Sequence, residues 1–278
     1  MQQLRQYILL LLLFISFCVV FYPSLAQLAN KWLNSEDYTH AFMVAPIVGY
    51  MIWVKRDFLA ENKGRSYTGF IFIVVSLILY LFSLQLQIPT FVFLATNLTL
   101  ISCFVYLAGF SVFRELAVPF LLLFMLIPIP DQILSTLTYS LQLRVSEVSE
   151  FILHIFTIPV FREGNILHTS SKSFMVAEAC SGIRSLISMA TLSVIIGYFT
   201  LSKTMAIALL FMMSLPVAML INLLRVVALV LADYYWGLDL ASGPLHTITG
   251  LVLFVFGLTL LFIIQWIIGL WEREKTSK

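Results

Sequence analysis

Charged side chains are scarce in this chain. Asp, Glu, Lys and Arg make up 11% of the 278 residues, whereas hydrophobic residues make up 61%, and the mean hydropathy is +1.00. A soluble domain has about a quarter charged residues, so this composition excludes an ordinary soluble protein. The formal net charge is only +2, and most basic residues flank apolar segments, which argues against nucleic acid as a partner. The composition therefore indicates an integral membrane protein.

Cysteine is also rare, with Cys18, Cys103 and Cys180 as its three occurrences. They form no Cys-x-x-Cys pair and have no regular spacing, which argues against a disulfide framework and a zinc site. No ligand spacing elsewhere indicates a metal or an organic cofactor. Internal repeats, low-complexity segments and linkers typical of soluble domains are absent from the sequence as well. We therefore expect a single polytopic membrane domain over residues 1–278.

Eight apolar segments come close to the length of about 20 residues that crosses a bilayer. They lie at 7–28, 38–54, 67–86, 88–111, 116–130, 182–201, 204–232 and 247–270. The first has two interpretations. Arg5 before it and Ser24-Leu25-Ala26 near its end are typical of a cleaved signal peptide, but the length of the apolar run favours an uncleaved anchor. The sequence predicts an all-α integral membrane protein with about eight transmembrane helices.

Basic residues fall unevenly on the two sides of these spans. One side carries ten: Arg5, Lys55, Arg56, Lys63, Arg65, Arg114, Lys203, Arg273, Lys275 and Lys278. The other side carries four: Lys31, Arg144, Arg162 and Lys172. Because cytoplasmic loops carry the excess of Lys and Arg, we expect both termini in the cytoplasm. The loops at 29–37, 131–181 and 233–246 are then expected outside.

Three reactive side chains fall in the outer halves of the last three spans. Cys180 directly precedes the sixth span, Arg225 lies within the seventh, and His246 opens the eighth. A thiolate can attack a carbonyl carbon, an imidazole can move the proton, and a guanidinium can bind the oxyanion. Together these three groups support acyl transfer through a thioester.

Each of these residues also has a plainer interpretation. An arginine within an apolar span is costly unless it faces a partner or water, so Arg225 is either functional or tightly paired. Asn222, three residues earlier, shares its helix face and is a candidate to hold the guanidinium. His246 can also be read as an interfacial histidine. Arg184, four residues after Cys180, either favours the thiolate or caps the interface.

The segments around these side chains share a pattern with a known family. They read Ala179-Cys180-Ser181-Gly182-Ile183-Arg184-Ser185, then Asn222-Leu223-Leu224-Arg225, then His246 followed by Gly250. With Pro128-Ile129-Pro130, Leu141-Gln142 and Glu163-Gly164-Asn165, the chain resembles the exosortase/archaeosortase family over about 125–270. Nearer the N terminus, Tyr38-Thr39-His40-Ala41 looks like a Tyr-Ser-His-Gly motif of the family. Thr39 and Ala41 depart from that motif and leave the role of His40 open.

The resemblance implies a membrane-embedded cysteine protease or transpeptidase. It assigns the catalytic positions to Cys180, Arg225 and His246. Its supporting candidates are Arg184, Asn222, Ser181, Gly182 and His40. Archaeal relatives carry an arginine where this chain has His246, which implies an exosortase of the bacterial type in the cytoplasmic (inner) membrane, with its active site on the extracytoplasmic side. Neither a metal nor an organic cofactor is implied.

The resemblance also implies a substrate. Such enzymes process exported proteins whose C-terminal sorting tail combines a Pro-Glu-Pro-like motif, a membrane helix and a basic cluster. The thioacyl intermediate then passes to water or to an acceptor at the cell surface. The expected partners are these exported proteins, that acceptor and membrane lipid, with no nucleic acid.

The long outer loop at 131–181 carries two further patterns. Over 132–156 an apolar stripe with helical spacing predicts an amphipathic helix, lying on the outer leaflet or capping the bundle. Its members are Leu134, Leu137, Leu141, Val145, Val148, Ile152 and Ile155. Further on, the turn at 163–165 between short apolar runs predicts a small hairpin. These elements either cover the active site and receive the recognition motif or form a passive interfacial cover.

Two other classes of protein remain open on the sequence. A transporter or channel would use Arg225 to line a substrate path, and broken helices in two related halves would favour it. The composition also fits a membrane component of polysaccharide export, and Cys180 would then be dispensable.

Overall fold

Helices dominate the computed structural model, which describes residues 2–35, 37–61, 66–170, 172–176, 182–240 and 243–276. The chain is 82% helical, as expected for an all-α membrane protein. It divides into two compact units, Met1–Pro130 and Asp131–Lys278. A single polytopic domain over 1–278, with a family-like core at about 125–270, remains a prediction.

The first unit is built from helices. They are α1 (Gln2–Val20), α2 (Tyr22–Asn34), α3 (Ala41–Val54), α4 (Arg56–Glu61), α5 (Tyr67–Leu86), α6 (Pro89–Ala108), α7 (Ser111–Glu115) and α8 (Ala117–Met125). Helices α5 and α6 pack closely at Gly69. A Cβ atom there would lie only 2.4 Å from the Cα atom of Tyr106, so the position has no room for a side chain. Helix α2 is joined to α6 by a buried hydrogen bond of 2.8 Å between the hydroxyls of Ser24 and Thr96.

The proline-rich segment after α8 is held by side chains. Proline lacks a backbone N–H and interrupts helical hydrogen bonding, so the backbone groups here need other partners. Thr90 donates its hydroxyl to the carbonyl oxygen of Pro128 at 2.8 Å, and the backbone N–H of Ile129 donates to the hydroxyl of Tyr38 at 2.9 Å. The motif segment containing Tyr38 therefore supports this end of the first unit.

The second unit contains a long surface helix, a small sheet and three long helices. Its elements are α9 (Asp131–Ile155), β1 (Phe161–Glu163), β2 (Ile166–His168), β3 (Ser173–Met175), α10 (Gly182–Thr200), α11 (Thr204–Trp236) and α12 (Gly243–Thr276). Helices α10, α11 and α12 contact one another. The carboxylate of Glu272 on α12 accepts hydrogen bonds from the backbone N–H groups of Ser202 at 3.1 Å and Lys203 at 2.5 Å. An acidic group there satisfies the free N–H groups at the start of α11.

Five helices among the described residues are long and apolar enough to cross a membrane: α5, α6, α10, α11 and α12. A sixth crossing results if α1 and α2, which are bent by 72° at their junction, count as one span. The predicted number of eight is therefore not confirmed. The first predicted span breaks because Pro23 lies at the start of a new helix, a position where its missing N–H costs little. The fifth is shorter than expected because α8 ends at Met125, before Pro128.

Helix α9 corresponds to the amphipathic helix predicted in the 131–181 loop. The residues that it buries are Gln142, Val145, Ser146, Ser149 and Leu153. Leu137, Val148 and Ile155, which belong to the predicted apolar stripe, are exposed instead. The helix therefore packs through a mixed face that includes small polar residues and leaves much of its apolar stripe uncovered within this unit.

The predicted hairpin is present and extends into a sheet of three antiparallel strands in the order β1-β2-β3. Gly164 takes a φ of +61° in the turn between β1 and β2, a conformation that glycine adopts without strain. Helix α9 holds this turn. Ser146 donates its hydroxyl to the carbonyl oxygen of Gly164 at 2.9 Å, and the amide of Asn165 donates to the side-chain oxygen of Gln142 at 3.0 Å.

The inner face of the sheet packs on the C-terminal part of α11. Leu167 and Phe174 are buried in one cluster with Val226, Val227 and Val230. These valines directly follow Arg225 in the chain. The sheet therefore supports the part of α11 that carries the predicted catalytic arginine.

Candidate active site

Helix α11 carries Arg225 without a break. It is a continuous helix of 33 residues that includes Pro216. The guanidinium is partly buried, while Val226 and Val227 beside it are packed in the core. Arg225 thus projects from a rigid segment of helix rather than from a loop.

The side chains of Arg225 and His246 are in direct contact. Nη2 of Arg225 lies 2.9 Å from Nε2 of His246 and 3.3 Å from the His246 carbonyl oxygen. On the other side of the ring, Nδ1 of His246 lies 3.2 Å from the carbonyl oxygen of Leu240. A guanidinium only donates and a carbonyl only accepts. These contacts therefore assign the proton to Nδ1 and leave Nε2 as a lone-pair acceptor on a neutral ring.

Gly250 provides the space for this contact. It lies one turn after His246 on α12, and a Cβ atom there would be 2.9 Å from Nη2 of Arg225 and 3.2 Å from its Cζ atom. Real Cβ contacts essentially never fall below 3.0 Å. The absence of a side chain therefore lets the guanidinium lie against the backbone of α12.

We expect Gly250→Ala to displace the guanidinium and to lower turnover by about 10-fold to 100-fold. A shift of about 1 Å in a catalytic group can cost about 10² in rate. The measurement is the rate of substrate processing by the purified, folded variant. Gly269→Ala is the matched control, because its Cβ atom on the same helix would meet only atoms at 3.9 Å. Equal rates for the two variants would contradict the assigned role of Gly250.

In the described part of the chain, the guanidinium of Arg225 bonds to His246 and has no acidic partner. Its Nε atom is buried and has no acceptor there. A buried donor without an acceptor is costly, and a charged one more so. Among the described residues, the guanidinium therefore has donor capacity that is not used.

Asn222 was expected to hold the guanidinium of Arg225, but no hydrogen bond between the two side chains is present in the described residues. Asn222 is buried, with 7% of its surface exposed. The guanidinium instead reaches across to α12 and His246. The shared helix face is therefore a packing position for Asn222, and the partner of Arg225 comes from a different helix.

Cys180 and Ser181 lie outside the described residues, and Gly182 begins α10. Helices α10 and α11 are joined by a three-residue turn and pack side by side. From this turn, Gly182 is about 27 Å along α10 and Arg225 about 32 Å along α11, at 1.5 Å per residue. The start of α10 and Arg225 thus differ by about one helical turn in level. Arg184, in the first turn of α10, is partly buried.

His40 belongs to the first unit, directly before α3. Its ring stacks on that of Tyr38 with centroids 6.4 Å apart. The Nε2 atom of His40 is buried and has no hydrogen-bond partner in the described part of the chain. The motif that contains Tyr38 and His40 thus has a structural role through Tyr38, and His40 keeps an unused nitrogen.

Sequence reasoning missed two contributors to this site. The first is the carbonyl oxygen of Leu240, which orients the His246 ring; a backbone group leaves no signal in the side-chain pattern. The second is Lys172, whose ammonium joins two aspartates around the same loop. Its proximity to Asp233 and Asp239 in space is not visible from their separation in sequence.

Comparison with known proteins supports the resemblance seen in the motifs. A family model described as transmembrane exosortase matches residues 32–263. The match also includes the N-terminal segment where the motif with His40 departs from the family pattern. No curated protein matches the chain, and no solved structure matches it. With most of its length matched by that model, the chain belongs to the transmembrane exosortase family.

Proposed function

We propose that this protein is a cysteine peptidase or transpeptidase that cleaves the C-terminal sorting tail of exported proteins. The observation that carries this proposal is the contact between Arg225 and a neutral His246. This contact joins a proton acceptor to a guanidinium that has no acidic partner among the described residues, and the start of the helix that follows Cys180 differs from Arg225 by about one helical turn in level. Family membership supports an enzyme of the exosortase kind.

The first chemical step forms the thioester precursor. Nε2 of His246 takes the proton from the Cys180 thiol, and the thiolate attacks the carbonyl carbon of the scissile peptide bond. The electron pair of the carbonyl moves onto its oxygen, and Arg225 binds the resulting oxyanion. For this step the guanidinium must leave Nε2, because Nη2 occupies that nitrogen in the resting state. Resting geometries of catalytic groups often change in this way on substrate binding.

The second step breaks the peptide bond. The tetrahedral intermediate collapses, the bond between carbon and nitrogen breaks, and His246 returns its proton to the leaving amine. The exported protein remains attached to Cys180 as a thioacyl intermediate. Water then releases it by hydrolysis, or an amine of a cell-surface acceptor takes the acyl group by transpeptidation.

The substrate is an exported protein with a tail of three parts: a Pro-Glu-Pro-like motif, a membrane helix and a basic cluster. We propose the bacterial cytoplasmic membrane as the location, with both termini cytoplasmic and the active site outside. The uneven distribution of basic residues supports this orientation. The tail helix then lies beside the enzyme in lipid, with its motif at the level of Cys180.

The test of the activity is processing of a tailed protein encoded in the same genome. We expect the co-expressed enzyme to convert it to a shorter form, with the new C terminus located by mass spectrometry within or beside the Pro-Glu-Pro-like motif. The matched control substrate has that motif replaced by alanines and keeps its membrane helix and basic cluster. Cleavage of both substrates, or of neither, would contradict the proposed specificity.

The proposed orientation predicts which positions can be labelled from outside. In a variant without native cysteines, we expect a membrane-impermeant thiol reagent applied to intact cells to label cysteines placed at Ser35 or Ser242. It should not label a cysteine placed at Ser202, in the turn between α10 and α11. Permeabilised cells provide the control, because the position at Ser202 is exposed and should then react. Labelling at Ser202 in intact cells would reverse the orientation.

A transporter that uses Arg225 to line a path is the alternative. Such proteins place broken helices near the membrane midplane in two related halves. Among the described residues, helices α1 and α2 together could form one broken span. The helix that carries Arg225 is continuous. This observation favours the enzyme. A membrane component of polysaccharide export differs from the enzyme in having no need for Cys180.

A further inference from the structure

Lys172 lies at the centre of a small charge cluster next to the candidate active site. Its ammonium is 3.0 Å from Oδ1 of Asp233, near the end of α11, and 3.3 Å from Oδ1 of Asp239, in the loop before α12. It also lies 4.9 Å from the ring centroid of Phe174, a distance typical of a cation–π contact. One side chain, directly before β3, thus joins the end of a helix to the loop that follows it.

This loop carries the acceptor that orients His246. Leu240 follows Asp239 directly, and its carbonyl oxygen lies 3.2 Å from Nδ1 of His246. The loop begins at Gly237, whose φ of +63° turns the chain away from α11. Past this turn, the ion pair between Asp239 and Lys172 links the loop to the residue directly before β3.

We propose that Lys172 is a positioning residue that holds the Leu240 carbonyl against His246 and thereby keeps the catalytic nitrogen Nε2 unprotonated and facing Arg225. Lys172 touches neither His246 nor Arg225. It acts through Asp239 and the backbone of the loop. In serine proteases an aspartate sets the tautomer of the catalytic histidine directly; here a backbone carbonyl does so, and a lysine holds that carbonyl in place.

The position of Lys172 is itself well determined. Its backbone N–H donates to the hydroxyl of Thr169 at 3.2 Å, and its carbonyl oxygen accepts from the Thr169 backbone N–H at 2.9 Å. Phe174, two residues later, is buried on α11 with 5% of its surface exposed. Burial lowers the pKa of Lys172, but the hydrogen bonds and charges of Asp233 and Asp239 outweigh it and raise the pKa above its ordinary value. The ammonium is therefore charged at neutral pH.

The proposal rests on the proposed function for its effect on rate, but its structural part can be measured without activity. The first readout is the protonation of the two ring nitrogens of His246, followed by NMR of protein labelled with ¹⁵N-histidine. The His246 signals are assigned by their loss in His246→Gln. We expect the wild type to show the proton on Nδ1, and Lys172→Met to show a mixture of the two tautomers.

The second readout is the rate of tail processing. Loss of the correct tautomer costs about 10⁴ in kcat where the orienting group is removed outright. Because Lys172 acts one step further away, we expect Lys172→Met to lower the rate about tenfold, with substrate docking unchanged. Asp239→Asn, which weakens only the link to the loop and leaves Asp233 in place, should change both readouts in the same direction. Lys172→Arg, which keeps a cation able to pair with both aspartates, should retain both readouts.

The matched control is Arg162→Met. Arg162 lies in β1 of the adjoining sheet and forms an ion pair of 3.2 Å with Glu150, but among the described residues it makes no ion pair with the loop. We expect this variant to keep the His246 tautomer and the rate. If Lys172→Met and Asp239→Asn also retain both, the proposal is wrong. If the wild type processes no tailed substrate, the proposed function fails, and the NMR comparison still decides whether Lys172 positions His246.

Discussion

Cys180→Ala should abolish tail processing while leaving the protein folded and inserted in the membrane. In serine proteases, removal of the nucleophile lowers kcat by about 10⁶, which would place the residual activity below detection here. Cys180→Ser should fail as well, because a hydroxyl is a much weaker nucleophile than a thiol unless a base activates it fully. The measurement is conversion of the tailed substrate by purified variants whose elution and thermal unfolding match the wild type.

The other two cysteines provide internal controls. Cys18 lies on α1 and Cys103 on α6, both in the first unit and both partly buried. A small side chain in an apolar helix acts as a filler, so Cys18→Ala and Cys103→Ala should keep nearly full activity. Full processing by Cys180→Ala would remove the thioester mechanism altogether. It would leave the family fold in place and favour a role in transport or polysaccharide export.

The sequence predicted the parts of the site that depend on residue type. Arg225 stood out because an arginine within an apolar span needs a partner or water, and the structure does give it a partner in His246. The order of the three outer positions along consecutive spans followed from the alternation of membrane crossings. The contact between Arg225 and His246 could not be derived, because it depends on how α11 and α12 are rotated about their axes. A glycine at position 250 makes that rotation possible.

The sequence was less informative where local geometry decides. The apolar run at 7–28 predicted one membrane span, but a new helix begins at Tyr22, next to Pro23, and is bent by 72° from the first. The stripe on α9 predicted an amphipathic helix, lying on the outer leaflet or capping the bundle, and did not predict which residues pack on the sheet. The turn of the sheet instead requires polar partners from Gln142 and Ser146, and these take the inner face. Hydrophobic periodicity describes the average environment of a helix, whereas hydrogen-bond demands of its neighbours select the face that packs.

Arg225→Lys should lower turnover by about 10²–10³ without preventing substrate docking. Removal of one oxyanion donor has an effect of this size in other acyl-transfer enzymes. Lysine keeps the charge but loses the planar fork. With the fork it loses Nη2, the atom that contacts both the ring and the carbonyl oxygen of His246. Docking is measured by crosslinking the tailed substrate to the variant, and turnover by its conversion. A rate equal to that of the wild type would mean that the reaction needs only the positive charge of Arg225 and not its planar fork.

His246→Ala should have an effect of a different kind, because the proposed role of His246 is to move protons rather than to bind charge. General acid–base groups contribute about 10²–10⁴ to the rate, and histidine is the side chain that ordinarily titrates near neutrality. The variant should therefore lose both rate and the dependence of the rate on pH near neutrality. An adduct between substrate and Cys180 that accumulates in this variant would assign His246 chiefly to release of the thioacyl intermediate. An unaltered pH profile at full rate would instead exclude His246 as the proton carrier and make His40 the next residue to test.

The double variant Arg225→Lys with His246→Ala tests whether the contact between the two side chains belongs to the mechanism. When two residues act as a unit, replacing both raises ΔG‡ by far less than the sum of the two single replacements. In the resting state Nη2 of Arg225 occupies the nitrogen that must accept the thiol proton. Each residue therefore depends on the other's position before the first step. We expect the double variant to be only slightly slower than the slower single variant. Strictly additive losses would show that oxyanion binding and proton transfer are independent, and that the contact between Arg225 and His246 serves only to shield the arginine from lipid.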